Sequence, residues 1–224
     1  MNVLLLLLIL SFASTIQCDI HTNRIEDTLS TEANDTNTLC KDHLQVPEKV
    51  RIDLYYESLC PYCKQFYVKE LAPVVQKLMN YIELYTYPFG HAQMKKNDNK
   101  TTFECQHGPT ECYGNGLHAC AIQYLPKMSE YVPFNTCLME KWSTDKDAEQ
   151  CGQRLHLNAE PIRTCANSDE AINLVIYYAQ ETEKLKNMSY VPYTVINHKV
   201  MDPETDLIDS VCATFEKPPQ ECKK

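Results

Sequence analysis

The order of patterns in residues 50–88 narrows the possible folds more than any other feature of this chain. A strand pattern, the tetrapeptide Cys60-Pro61-Tyr62-Cys63, a helical pattern and a second strand pattern follow one another without a gap. Val50-Arg51-Ile52-Asp53-Leu54-Tyr55 alternates as a half-buried strand does. Phe66, Tyr67, Leu71, Val74, Val75 and Leu78 then recur at helical spacing, with Ser58 or Cys60 as the expected cap and Pro73 as an expected kink. Tyr81 to Tyr87 is the next strand, stopped by Pro88. Strand, helix, strand in this order is a βαβ unit with a parallel pair. A C-x-x-C at the start of its helix sets the first sulfur beside unpaired backbone N–H groups that favour the thiolate, so the pair can close and reopen as a disulfide.

The remaining cysteines place the chain in an oxidising compartment. Val3 to Leu10 is an apolar run too short to cross a bilayer, and it reads as the core of a secretory signal peptide ending between Ala13 and Cys18. Twelve cysteines in an exported chain imply disulfides. With Cys18 removed and Cys60 and Cys63 set aside, an odd number remains. Cys40 and Cys222, each near a terminus, are the expected spares, and an unpaired thiol opens a disulfide-linked homodimer. Sequons at Asn34, Asn99 and Asn187 fit the same route and are expected glycosylation sites. The net charge of -9, with no basic cluster, excludes nucleic acid and anionic membrane as natural partners. No later stretch is apolar enough for a transmembrane helix, so a soluble protein of the secretory pathway is expected, lysosomal, endosomal or secreted.

The expected organisation is a signal peptide over residues 1–18, a polar leader or propeptide over 19–46, one domain over 47–216 and a tail over 217–224. Within the domain, about 89–167 changes character: six cysteines, most of the glycines and no long strand. It reads as a disulfide-rich helical insertion, with short helices such as Leu117 to Leu125 and Thr136 to Trp142. Ser168 caps a clear helix with Asp169 and Glu170 in its first turn and the stripe Ile172, Val175, Ile176 and Ala179. Tyr190 to Ile196 reads as a strand, Asn197-His198-Lys199 as a turn into a last strand near Val200, and Asp206 to Phe215 as a closing helix.

The chemistry centres on the C-x-x-C. Disulfide reduction needs a thiolate attacker, a mixed disulfide and a second thiol that resolves it. Cys60, exposed at the helix start, is the expected attacker and Cys63 the resolving thiol. An ordinary thiol is about 3% ionised at pH 7 and about a hundredfold less at pH 5, so work in acid demands a lowered Cys60 pKa. Val191-Pro192 opens the strand after the long helix. A cis proline there would set a free backbone edge beside the sulfurs, ready to pair with an extended substrate segment. A structural bridge at Cys60–Cys63 is the plain alternative, weakened by the βαβ setting. Zinc ligation by Cys105, His107, Cys112, His118 and Cys120 is a third reading, but the spacings miss the usual finger patterns. No metal and no cofactor are expected, and no Ser-His-Asp arrangement or phosphate loop can be read.

Residues Cys105, Gln106, His107, Gly108, Glu111, Cys112, Asn115 and Cys120 satisfy C-Q-H-G-x2-E-C-x2-N-x4-C in full. In this segment, and in Tyr56-Glu57-Ser58-Leu59-Cys60, Tyr190-Val191-Pro192 and Ser210-Val211-Cys212, the chain resembles the gamma-interferon-inducible lysosomal thiol reductase family over about Val50 to Cys222. The resemblance implies an α/β, thioredoxin-like fold, a central mixed sheet flanked by helices, carrying a helical, disulfide-rich insertion. It implies reduction of disulfides in protein substrates in acidic endolysosomes, with Cys60 and Cys63 as the active pair, Pro192 as the cis proline and a small thiol as the resetting reductant. Cys105 to Cys120 would then frame the insertion beside the site, with His107 and Asn115 ordering its loops. The Pro61-Tyr62 dipeptide departs from the family and is the one glutaredoxins carry, which favours a more oxidising pair. A secreted disulfide oxidase or isomerase, and a non-enzymatic disulfide-rich recognition protein, are the competing readings.

Overall fold

The computed structural model describes residues 49–97 and 100–223. The expected signal peptide and leader, Cys18, Cys40 and the sequons at Asn34 and Asn99 lie outside the described residues.

Strand β1 (Val50–Tyr56) runs through the middle of a four-stranded mixed sheet of order β2-β1-β5-β6. It pairs in parallel with β2 (Ile82–Pro88) and antiparallel with β5 (Tyr193–Ile196), and β5 turns back into β6 (Lys199–Val200). The expected parallel pair is therefore present, with Ile52 opposite Leu84. Asn197 and His198 take the left-handed backbone of a two-residue hairpin turn, as that segment predicted. Strand β5 starts later than Tyr190 because Pro192 has no N–H to add to a ladder. The Val191–Pro192 bond is cis.

Strand β1 is buried on both faces, which is why only its ends are available for chemistry. Ile52, Leu54 and Tyr56 point into one core with Tyr67, Leu71, Leu78, Val132 and Leu207. Tyr55 points the other way and stacks on Tyr87 at 4.4 Å, over Val175 and Tyr178 of the long helix Asp169–Glu183. The chain leaving β1 enters α1 (Pro61–Phe66), widens into one π-helical turn over Tyr67–Leu71, and continues as α2 (Ala72–Leu78). Pro73 can supply no helical N–H, and just before it the Ala72 N–H reaches back five residues to the Tyr67 carbonyl. The expected kink thus takes the form of a wider turn.

Between β2 and the long helix lie a hairpin and four helices. The hairpin pairs β3 (Gln93–Asn97) with β4 (Lys100–Glu104), two five-residue strands where the sequence suggested mainly short helices. Their residues are mostly exposed and polar, so only Met94 and Phe103, packed toward Phe89, carry an apolar signal. The helices are α3 (Pro109–Tyr124), α4 (Met128–Met139), α5 (Asp145–Leu155) and α6 (Glu160–Ala166). Helix α4 starts well before Thr136, the expected start, and carries Pro133 inside it. The long helix is α7 (Asp169–Glu183), capped by the Ser168 hydroxyl, which accepts from the Glu170 N–H. A short α8 (Leu207–Cys212) and a 3-10 turn at Gln220–Cys222 close the described chain.

Bridges Cys120–Cys165 and Cys137–Cys151 run through a second core of Leu117, Phe134, Leu138, Ala148 and Ile162. Cys105–Cys112 clips the end of β4 to the first turn of α3. Cys222 is not a spare, as its position near the terminus suggested: it is bonded to Cys212 and folds the tail back onto α8. Among the described residues only Cys60 and Cys63 are free.

Loop-closure entropy ranks these bridges. Cys120–Cys165 closes 45 residues and Cys105–Cys112 closes 7. The double variant Cys120→Ala/Cys165→Ala should lose about 4 kcal/mol, against about 2 kcal/mol for Cys105→Ala/Cys112→Ala. Guanidinium unfolding midpoints measure both, and equal losses would contradict the ranking.

Candidate active site

Helix α1 starts at the end of the buried central strand, so its first turn is fixed in direction. Cys60 occupies the cap position with extended backbone, and Pro61 takes the first helical place, where a missing N–H costs nothing. The Cys60 thiol is pulled down from its ordinary 9.0 to about 6. The hydrogen bond from the Cys63 thiol is the largest cause; the Cys63 and Tyr62 N–H groups and the charge on His107 add to it, while burial opposes. Cys63, almost wholly covered, is pushed well up, first by burial and then because it serves as donor to Cys60. The two sulfurs thus differ in kind: one is disposed to be a thiolate, the other to keep its proton.

Cys60 is less open than its helix-start position predicted. It is only 5% exposed, and its Sγ lies 4.0 Å from the Val191 carbonyl oxygen. A groove of about 490 Å³ opens alongside, lined by Tyr62, Phe66, Val191, Pro192, Met201 and the carboxylate-bearing Glu70 and Asp206, among others. Tyr62 stands out from the helix at 75% exposure, and Trp142 is 69% exposed with Lys64 Nζ 5.2 Å from its ring centre. Val191 and Pro192 therefore sit beside Cys60, where the sequence expected them.

The helical insertion is wired to the same junction. The Ser58 N–H donates to Asn115 Oδ1 at 2.9 Å, and its hydroxyl donates to the Glu111 carbonyl at 3.2 Å. A Cβ on Gly114 would stand 2.5 Å from Ser58 Oγ, so glycine is what lets α3 approach this closely. Asn115, expected to order loops of the insertion, meets the β1–α1 junction through this bond. Gly108 supplies the left-handed residue ahead of α3.

The buried Glu57 and Glu111 and the exposed Gln106 and His107 form a polar cluster behind the sulfurs that sequence reasoning did not isolate. Glu57 Oε1 accepts from the His91 N–H at 2.7 Å, and Glu111 Oε1 accepts from the His107 N–H at 3.0 Å. His107 Nδ1 lies 2.6 Å from Glu111 Oε2 and 3.5 Å from Glu57 Oε2. The Gln106 amide, oriented to satisfy its hydrogen bonding, donates to Glu57 at 3.2 Å. Burial, ahead of every other influence, pushes the Glu57 carboxyl up to about 7. The three acid and imidazole groups offer ligand atoms within 4.8 Å of one another. The 2.6 Å contact is a hydrogen bond, however, whereas two ligands of one tetrahedral zinc stand about 3.4 Å apart. The available signal was an acid placed between a wholly apolar strand face and the C-x-x-C.

The other zinc candidates are dispersed. Cys105, Cys112 and Cys120 are in bridges, and His118 is wholly buried between Tyr56 and Ser143. Ser143 Oγ donates to the Leu138 carbonyl at 3.2 Å, so it accepts from His118 Nε2–H at 3.1 Å; His118 Nδ1 then accepts the Tyr56 hydroxyl proton at 3.0 Å. That pattern needs a neutral ring, and burial accordingly lowers His118 to about 3. Asn187, the one sequon asparagine among the described residues, is exposed.

The family model described as gamma interferon inducible lysosomal thiol reductase (GILT) matches residues 51–155. GILT-like protein 1 of Drosophila melanogaster is 35% identical over 79% of this chain and 79% of its own length. The gamma-interferon-inducible lysosomal thiol reductase of Mus musculus is 30% identical over 84% and 80%. The chain belongs to this family. Its members and fold make it a thiol-disulfide oxidoreductase. Among solved structures, the reduced disulfide oxidoreductase DsbG of Mycobacterium tuberculosis superposes with a TM-score of 0.55 at 15% identity, covering 77% of this chain and 81% of that one. Reduced DsbA from the same organism gives 0.53 at 14% identity, covering 76% and 84%. These likenesses bear out the thioredoxin-like fold with its mixed sheet and added helices.

Two pH effects of opposite sign follow from the buried groups. Glu57 holds a proton in the fold that the unfolded chain releases above 4.5, so between about 7 and 4.5 it adds stability as pH falls. His118 refuses a proton that the unfolded chain takes up below 6.5, so from 6.5 toward about 3 it removes stability as pH falls. Whatever its stability at neutral pH, His118→Gln should lose less than wild type between pH 6.5 and 4.5 when denaturant midpoints are compared. A larger loss in the variant would contradict a neutral His118.

Proposed function

We propose that this oxidoreductase is a reductase of protein disulfides working at acidic pH in the endolysosomal branch of the secretory pathway. Cys60 attacks a client disulfide, one client thiol leaves, and Cys63 displaces the other to close the Cys60–Cys63 bond. The single observation that carries this reading is the division of roles between the sulfurs: one lowered to about 6 beside a groove, the other buried and held protonated. At about pH 5 a thiol with that value is about a tenth ionised, roughly three hundredfold more than an unperturbed one. Family membership supports reduction, and the mouse relative is by name lysosomal. The exposed Asn187 supports glycosylation during export, with Asn34 and Asn99 as further acceptors. Residues 1–18 are read as the signal peptide. Among the described residues no helix is long and apolar enough to cross a membrane.

Val191 and Pro192 are the substrate-holding edge: the Val191 carbonyl faces Cys60, and the groove continues past Pro192 between Phe66 and Met201. An extended client segment laid there would present its disulfide to the Cys60 sulfur. A small thiol resets the pair.

Insulin reduction at about pH 5 tests the reading. Cys60→Ser should abolish turnover, and Cys63→Ser should accumulate a client-linked mixed disulfide visible on non-reducing gels. Turnover of Cys60→Ser at the wild-type rate would end it. The rival oxidase reading is separated by the pair's reduction potential, which should lie nearer about -270 mV than the about -120 mV of a strong oxidant.

A further inference from the structure

The groove beside Cys60 has two ends of different character. Tyr62, Phe66 and Glu70 follow one another at four-residue spacing and form one side of it, along the helix that starts at the redox pair. Val191, Pro192 and Met201 form the facing wall. Near the sulfur the lining is apolar and aromatic, and further along it turns acidic. Glu70, Glu204 and Asp206 line that end, and no lysine or arginine lines the groove. Glu70 Oε2 accepts the Leu207 N–H at 3.2 Å, which pins its carboxylate to the chain one residue beyond Asp206. Asp202 Oδ1 accepts the Glu204 N–H at 3.0 Å and adds another carboxylate to the same loop. None of the four is in an ion pair among the described residues.

Carboxylates scattered over a surface need no partner, but these converge on the end of one groove. A second observation sets a ligand in the same place. Thr194 lines the groove at only 4% exposure, and its hydroxyl has no hydrogen-bond partner among the described residues. A buried hydroxyl left unmet is costly, and native structures keep few of them. A main chain laid across Pro192 carries the carbonyl and N–H groups that would meet it. The cover that has to give way is Met201, whose N–H donates to the Thr194 carbonyl at 2.9 Å and whose thioether side chain is readily repacked.

We propose that this groove selects clients bearing a basic side chain, arginine or lysine, about four residues from the cysteine under attack, its cation held by Glu70, Glu204 and Asp206. The proposal rests on Cys60 as attacker and on Val191-Pro192 as the client edge, and it names the class of client that the edge accepts. Helical residues at about 1.5 Å each set Glu70 about 15 Å from Cys60 along the axis, and an extended client covers that span in about four steps of about 3.3 Å. The apolar stem of the basic residue would lie against Phe66 and Met201 while its head reaches the carboxylates. An acidic residue at the same place faces like charge and is disfavoured. Selection is thus made by what the client carries beside its disulfide, which the two sulfurs cannot read.

Self-quenched fluorescent peptides test this, each with a single cysteine and linked as a disulfide homodimer, so that either sulfur presents the same sequence. Three versions carry arginine, alanine or glutamate about four residues to each side of the cysteine. With reduced enzyme in excess, at the pH of the insulin assay, wild type should reduce the arginine peptide about tenfold faster than the glutamate peptide, and added salt should shrink that ratio. Glu70→Gln and Asp206→Asn, which keep an acceptor at Leu207 and a capping residue for α8, should each lower the ratio about threefold. Glu204→Lys, on the exposed loop, should lower it further and carries the test if the other two do not fold. The readout is a ratio within one protein, so a general loss of activity does not imitate it. Equal wild-type rates for the three peptides, or an arginine preference that all folded variants keep, overturn the proposal, while Cys60-dependent reduction of the peptides leaves the reductase reading in place. No reduction of any peptide by wild type, or wild-type rates from Cys60→Ser, overturns that reading and the proposal with it.

Discussion

One negative charge, the Cys60 thiolate, sets the terms for everything around it. It forms in a nearly dry position, where a charge is costly unless fixed dipoles meet it, and α1 supplies them in the N–H groups of Tyr62 and Cys63. Those dipoles are useful only if they cannot swing away. Burial of β1 on both faces anchors the strand end, and Tyr67 and Leu71 anchor the helix against the same core. The Cys63 thiol then donates to the thiolate, so the charge that activates one sulfur also helps hold the proton on the other.

The insertion completes this arrangement. Its second core is small and threaded by two buried bridges, which supply by covalent restriction part of what apolar area would supply in a larger body. Helix α3 gives it a rigid edge, and that edge reaches the redox junction through Ser58, Asn115 and Gly114. The Cys105–Cys112 clip holds the chain at the turn that carries Gln106 and His107, so a short covalent loop fixes two side chains behind the sulfurs. The eight fixed residues of the family pattern therefore do two things: four are cysteines or a glycine that shape the turn and α3, and the rest contact Glu57, Ser58 or one another.

Legibility tracked periodicity and local chemistry. The parallel pair, the capped helix from Asp169 and the turn at Asn197-His198 were readable because each rests on a local rule: alternation, a serine cap, residues that accept left-handed backbone. The position of Pro192 beside the sulfurs was readable through the fold. The hairpin of β3 and β4 was not, since its faces are polar and only Met94 and Phe103 are packed. Cys222 was misread because nearness to a terminus says nothing about whether a tail folds back. The cover over Cys60 comes from Val191, 131 residues away, and no local pattern encodes that approach. Glu57 was hidden for the same reason: its neighbours come from the Gly90 turn and the start of α3.

The depth of the Cys60 shift bears on direction of electron flow. A thiolate stabilised much further would be abundant in acid, but it would be a weaker nucleophile and would stabilise the reduced pair, making the enzyme an oxidant. A value of about 6 is nearer the about 7 of thioredoxin than the about 3.5 of DsbA. Burial is what stops the fall, because it opposes the dipoles and the Cys63 hydrogen bond at the same sulfur. The cover that makes Cys60 less accessible than a helix start suggests is thus also what keeps its thiolate reactive.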